Sequence, residues 1–276
     1  MIRSILLYAL VVLLLPACSD SPSGAENQEG MAKFASDSNF QNAHEQPAKL
    51  DFQGKGEIVK FPTSDGKEGS AYVLRSEQNP ANVLFVFHEW WGLNDYVKRE
   101  AERLFGQLDN TMVIAPDLYD GQIADNPDAA GKLMQSVTEA RAKAIIEGAF
   151  GLGGDNASVA TVGWCFGGGW SLKAAIMAGD KSKACVMYYG MPVEKAAELA
   201  PLKTDVLGIF AKKDNWINEQ VVGNFEKLAK ATGKKVDVHW YDADHAFANP
   251  SSPRYNEAAA TEANTLALNY LKEKLK

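Results

Sequence analysis

The stretch TVGWCFGGG, residues 161–169, decides how this chain is read. A β-branched run climbs to Gly163, a cysteine stands at 165, and three glycines follow Phe166. Glycines between an apolar run and a helix-forming segment mark a strand–turn–helix joint, the unit from which parallel sheets are built. Taken alone, Cys165 reads more readily as a small buried hydrophobe than as a nucleophile held up on a tight turn. The rest of the chain has to decide.

Working outward, short β-rich runs recur at GEIVKF (56–61), SAYVLR (70–75), NVLFVFH (82–88), TMVIAP (111–116), SVATVGW (158–164), KACVMYYG (183–190), DVLGIFA (205–211) and KVDVHWY (235–241). Most are continuously apolar, as strands covered on both faces are. Helical patterns separate most of them: residues 94–108 behind an Asn94 cap, 127–150, 167–179, 218–233 up to a terminal glycine, and 254–276. The first two runs are joined near PTSDGKEG with no helix between them, which predicts an antiparallel edge hairpin. The expected fold is α/β, a mostly parallel sheet with helices on both faces, in one domain over residues 51–276.

In such sheets, sites form beyond the carboxyl ends of the strands. Four reactive residues fall there: Glu89, Cys165, Asp214 and His245. Nucleophile, acid and histidine in that chain order is the order of the α/β-hydrolase fold, and G-W-C-F-G has the nucleophile-elbow form with cysteine in place of serine. Residues two before and two after the nucleophile must be small, and the helix that follows aims its N-terminus at the thiol.

The motifs FHEWWGLNDYVKREAERL, VIAPDLYDG, VGWCFGGGWSL, YYG, GIFAKKDNWI and DADHAFANPSSPRYNEAAATEA together resemble the dienelactone hydrolase family, from about residue 50 to the end. The resemblance implies a Cys165–His245–Asp214 triad cleaving small esters or lactones through an acyl-thioester. It implies an oxyanion hole from the backbone N–H groups of Trp90 and Phe166, and a Glu89 that contacts the resting thiol. Where well-studied members carry a substrate-binding arginine, four residues after the histidine, this chain has Asn249. Arg254 stands further along the same loop, and the tandem Trp90 and Trp91 suggest an aromatic pocket.

Plainer readings compete. Cys185 lies in an apolar run and reads as core. Asp242 and Asp244 rival Asp214 as the acid that orients His245; of the histidines that compete with His245, His44 falls in the expected tether, His88 adjoins Glu89, and His239 sits inside a strand. A thioesterase or general carboxylesterase would use the same triad, and an idle envelope protein could keep the pocket only to bind a ligand. No H-E-x-x-H, Cys/His spacing or phosphate loop appears, so no metal or other cofactor is expected. Net charge is −7 without a basic cluster, which argues against nucleic acid as a partner. A monomer is expected.

The first residues are a separate object. Arg3 precedes an apolar run over residues 5–15, the length of a signal-peptide core rather than a transmembrane helix. Leu15-Pro16-Ala17-Cys18 resembles a bacterial lipobox, in which Cys18 would be lipidated after removal of residues 1–17. Ser19 in place of aspartate points to the outer membrane, on its periplasmic side. An ordinary secretory signal, leaving a soluble protein, is the alternative. Residues 18–50 are polar, acidic and aperiodic, and are expected to be a flexible tether.

Overall fold

A computed structural model of the chain describes residues 30–75 and 80–276. Cys18 and the leader lie outside the described residues. All eight expected strands form: β1 Glu57–Pro62, β2 Glu68–Leu74, β3 Asn82–Phe87, β4 Thr111–Pro116, β5 Ser158–Trp164, β6 Ser182–Tyr188, β7 Val206–Ala211 and β8 Val236–Tyr241. They make one sheet in the order β1-β2-β4-β3-β5-β6-β7-β8. β1 and β2 are the antiparallel edge hairpin, closed by Thr63 N–H on the Lys67 carbonyl. β2 also runs antiparallel to β4, and every pairing from there to β8 is parallel. Every residue of β3, β4 and β7 is buried, as the apolar runs required.

The described helices are α1 Ser38–Asn42, α2 Asp95–Phe105, α3 Pro127–Ser136, α4 Glu139–Phe150, α5 Phe166–Met177, α6 Ala196–Leu199, α7 Glu219–Ala231 and α8 Glu257–Lys274. Among them, α2 packs on β4, α5 on β5 and β6, and α8 on β6 and β7. The expected helix at 127–150 is two helices. Val137 turns to extended backbone, and Thr138 caps α4 by accepting from the Arg141 N–H.

One larger correction concerns the expected tether. Residues 30–44 are not a loose linker: a 3₁₀ turn at Gly30–Phe34 and the short α1 lie against the domain. Met31, Ala35, Phe40, Ala43 and His44 are buried. The polar character of this segment hid a few well-spaced anchors, and Asp37 caps α1 through the Asn39 N–H. Gly131 of α3 lets the segment approach closely, since a Cβ there would stand 2.7 Å from the Ala35 carbonyl oxygen.

Candidate active site

The register of the sheet brings the strand ends together. Phe87 of β3 pairs with Gly163 of β5, so Glu89 and Cys165 leave adjacent strands at the same height. Trp164 pairs with Tyr188, which sets Tyr189 beside Cys165. Asp214 follows β7, and His245 follows β8 on the loop before α8.

Cys165 is held in a backbone conformation with φ +53° and ψ −117°. This region is costly for a residue with a side chain, and such strain persists only where the surroundings fix it. The glycines around it are required by contact. A Cβ at Gly163 would sit 2.1 Å from the Gly167 carbonyl oxygen, and one at Gly167 would sit 2.3 Å from that of Phe87. The elbow therefore presses directly on the β3 turn that carries Glu89.

His245 and Asp214 are buried together, and the His245 Nδ1–H donates to Asp214 Oδ2 at 2.5 Å. Asp214 is fixed in turn, because its Oδ1 accepts from the N–H groups of Trp216 (2.8 Å) and Ile217 (2.9 Å). Burial pushes the Asp214 carboxyl up, but the His245 charge and these bonds outweigh it and hold the group below its ordinary value. Burial likewise opposes charge on His245. The Asp214 carboxylate and Cys165 overcome that and raise the imidazole to about 10. The Nε2 of His245 faces Cys165 without a hydrogen bond of ordinary geometry, a looseness common in catalytic pairs before substrate binds. Burial raises the thiol of Cys165, and Glu89 adds to this, while His245 and the Phe166 N–H pull it down. Asp242 pairs instead with Lys213 at the surface and leaves the orienting position to Asp214.

Glu89 is buried, accepting from the Asn249 side-chain amide at one oxygen and from the Tyr189 hydroxyl, 3.4 Å away, at the other. Burial raises its carboxyl to about 7, against the lowering effect of His245 and these two bonds. Glu89, Trp91 and Asn249 line one cleft together with Tyr96, Trp164 and Asn264. Arg254 does not join them: it lines a separate surface depression, with its guanidinium 5.9 Å from the centre of the Trp216 ring. Trp90 is fully buried and packs its ring on Trp91 and His44. Cys185 is buried in β6 beside Ser171, as a core residue would be. His88 is a structural group, bonding the Glu89 carbonyl through Nδ1 and accepting the Leu118 N–H at Nε2.

Sequence reasoning missed the cover over this site. Cys165 and His245 are each only 1% exposed. Phe40 lies edge-on to both Trp90 and Trp216, with its centre 5.8 Å from that of His245. His44 sits 5.5 Å from the His245 ring, and Asp37 accepts from the Trp216 indole N–H at 3.0 Å. The available signal was the Asp37 cap followed by an aromatic and a histidine one helical turn apart. Among the described residues no helix is long and apolar enough to cross a membrane.

Residues 70–275 match the dienelactone hydrolase family. The chain is 31% identical over 234 residues to protein usf of Aquifex pyrophilus, covering 80% of this chain and 99% of that protein. It is 27% identical over 227 residues to carboxymethylenebutenolidase 1 of Cupriavidus pinatubonensis, covering 77% and 95%. A dienelactone hydrolase-like promiscuous phosphotriesterase from metagenomic libraries shares the fold, with a TM-score of 0.69 at 22% identity over 81% of this chain and all of that one. The chain belongs to the dienelactone hydrolase family and is a carboxylic ester hydrolase of that type.

Proposed function

We propose that the chain hydrolyses small esters or lactones with Cys165 as nucleophile, His245 as base and Asp214 as the group that orients the base. The observation that supports this best is the strained Cys165 elbow facing a histidine whose far nitrogen is locked onto a buried carboxylate. His245 takes the thiol proton, and the N-terminus of α5 favours the resulting thiolate. The sulfur attacks the carbonyl carbon, and the oxyanion is stabilised by the N–H groups of Trp90 and Phe166, each worth about 3 kcal/mol in comparable sites. The intermediate collapses to an acyl-thioester as His245 returns the proton to the departing alkoxide. Water, deprotonated by His245, then releases the acid and regenerates the thiol. Glu89, whose carboxyl is raised to about 7, changes charge beside this pair near neutral pH.

The test is turnover of aryl esters and small lactones, with mass spectrometry of the quenched enzyme. Accumulation of an acyl adduct on Cys165, and loss of both adduct and turnover in Cys165→Ala, is expected. Retained turnover in that variant overturns the mechanism. The leader extends the proposal to location: lipidated Cys18 holds the enzyme on the outer membrane, facing the periplasm. Cys18→Ala then shifts the protein out of the membrane fraction, and an unchanged distribution overturns the anchor.

A further inference from the structure

His44 is a buried polar side chain beside the site that the proposed reaction leaves unused. Its Nδ1–H donates to the Phe40 carbonyl at 2.7 Å, which fixes the ring and leaves Nε2 as a lone pair. That Nε2 is buried without a hydrogen-bond partner, as is Nε2 of His245, whose Nδ1 is committed to Asp214. Donor atoms of His44, Cys165 and His245 all lie within 4.8 Å of one another. Three atoms so close share a point within about 2.8 Å of each, and small side-chain adjustments reach the roughly 2.0–2.3 Å bonds of zinc to nitrogen and sulfur.

We infer that His44, Cys165 and His245 form a zinc site that sequesters the nucleophile while the ion is bound. Two features beyond proximity favour zinc. One thiolate and two imidazoles with a free fourth position for water match the donor set and coordination of this ion. Each imidazole also turns its other N–H onto an oxygen, a peptide carbonyl for His44 and a carboxylate for His245, the outer contact that orients ligating histidines. Binding forms one Zn–S and two Zn–N bonds and releases to solvent the single proton that Cys165 and His245 share. No electron moves. Only the consequence, reversible inhibition, rests on the proposed hydrolysis. A metal-bound thiolate is also shielded from oxidation.

Cobalt(II), added to the reduced full chain, is the spectroscopic probe. One equivalent should give a near-ultraviolet thiolate-to-metal band and visible bands of a four-coordinate site, and Cys165→Ser should lose the first. Zinc affinity, read by competition with a chromophoric chelator, should fall at least tenfold in both His44→Ala and His44→Gln, while magnesium does not compete. In wild-type chain labelled with ¹⁵N, the Nε2 resonances of His44 and His245 should move on zinc addition, and that of His88 should not. This measurement needs no variant to fold. An unmoved His44 resonance, or undiminished affinity in folded His44 variants, overturns the site. Ester turnover that ignores zinc also overturns it and leaves the hydrolase reading standing. A zinc-dependent spectrum in a chain that turns over no ester has the opposite meaning.

Discussion

Asn249 donates its side-chain amide to Glu89, so the loop after β8 grips the carboxylate that leaves β3. At the position where the family resemblance implied a substrate-binding arginine, this chain has an amide that binds a buried carboxylate. Asn249→Ala should raise the Glu89 pKa further, because a bond favouring the ionised form is lost. A bond to a charged group is worth about 1.5–3 kcal/mol, so the shift should be on the order of one unit or more. The pH dependence of Cys165 alkylation reads it, and an unmoved profile counts against the grip.

Glu89 should also make stability depend on pH. Its folded pKa of about 7 lies above the ordinary glutamate value of 4.5. Between those values the folded chain keeps a proton that the unfolded chain releases, so stability is greatest below pH 4.5 and falls as pH rises through 7. The loss should be a few kcal/mol. Glu89→Gln should abolish this slope, leaving the variant more stable than wild type at pH 8 by chemical denaturation. A variant with the same slope as wild type would assign it to another group.

Asp214→Asn keeps the shape of the orienting group and removes its charge. His245 should then fall well below about 10. Turnover should drop by roughly 10³–10⁴-fold, the scale seen when the acid of a comparable triad is neutralised. Cys165 alkylation at pH 7 should slow in parallel. Near-normal turnover would show that His245 is oriented by something else.

Two glycines should respond in opposite directions. Gly167→Ala drives a methyl into the Phe87 and His88 carbonyl oxygens, at 2.3 and 2.5 Å. It should cost about 3 kcal/mol or more and distort the elbow. Gly223 lies within α7 with open space around it and no positive φ. Gly223→Ala should stabilise by about 0.5–1 kcal/mol with turnover unchanged. Thermal melts check both, and equal effects would mean that contact at the elbow does not set the glycine requirement.

Phe40→Ala should loosen the segment that covers the thiol. The ring is fully buried among Trp90, Trp216 and His245. Alkylation of Cys165 should speed up at least tenfold while Cys185 stays slow, since the segment opens without unfolding the sheet. Equal acceleration of both cysteines would mean that the segment and the domain unfold together.

The parts visible in the sequence were those with local signatures. Short β-rich runs, most of them continuously apolar, marked all eight strands, and caps such as Asn94 marked helix starts. The glycines around Cys165 reported a steric need that the backbone contacts make explicit. Strand-end position gathered Glu89, Cys165, Asp214 and His245 because a parallel sheet puts all such ends on one edge. Partner choice was not visible in this way. The bond between Asn249 and Glu89 and the parting of Arg254 from the cleft depend on how one loop lies over another. His44 was the largest miss: a polar, aperiodic neighbourhood concealed a few residues that bury well.

The segment over residues 30–44 has one more consequence. Joined to the domain by its own chain, it meets the site at an effective concentration on the order of millimolar, whatever the protein concentration. Any substrate that needs the space held by Phe40 and His44 competes with a permanent intramolecular occupant. Its apparent affinity is then the intrinsic one scaled by the fraction of molecules in which the segment has lifted. For such a substrate, selectivity is then set partly by how firmly the fifteen residues 30–44 hold their place.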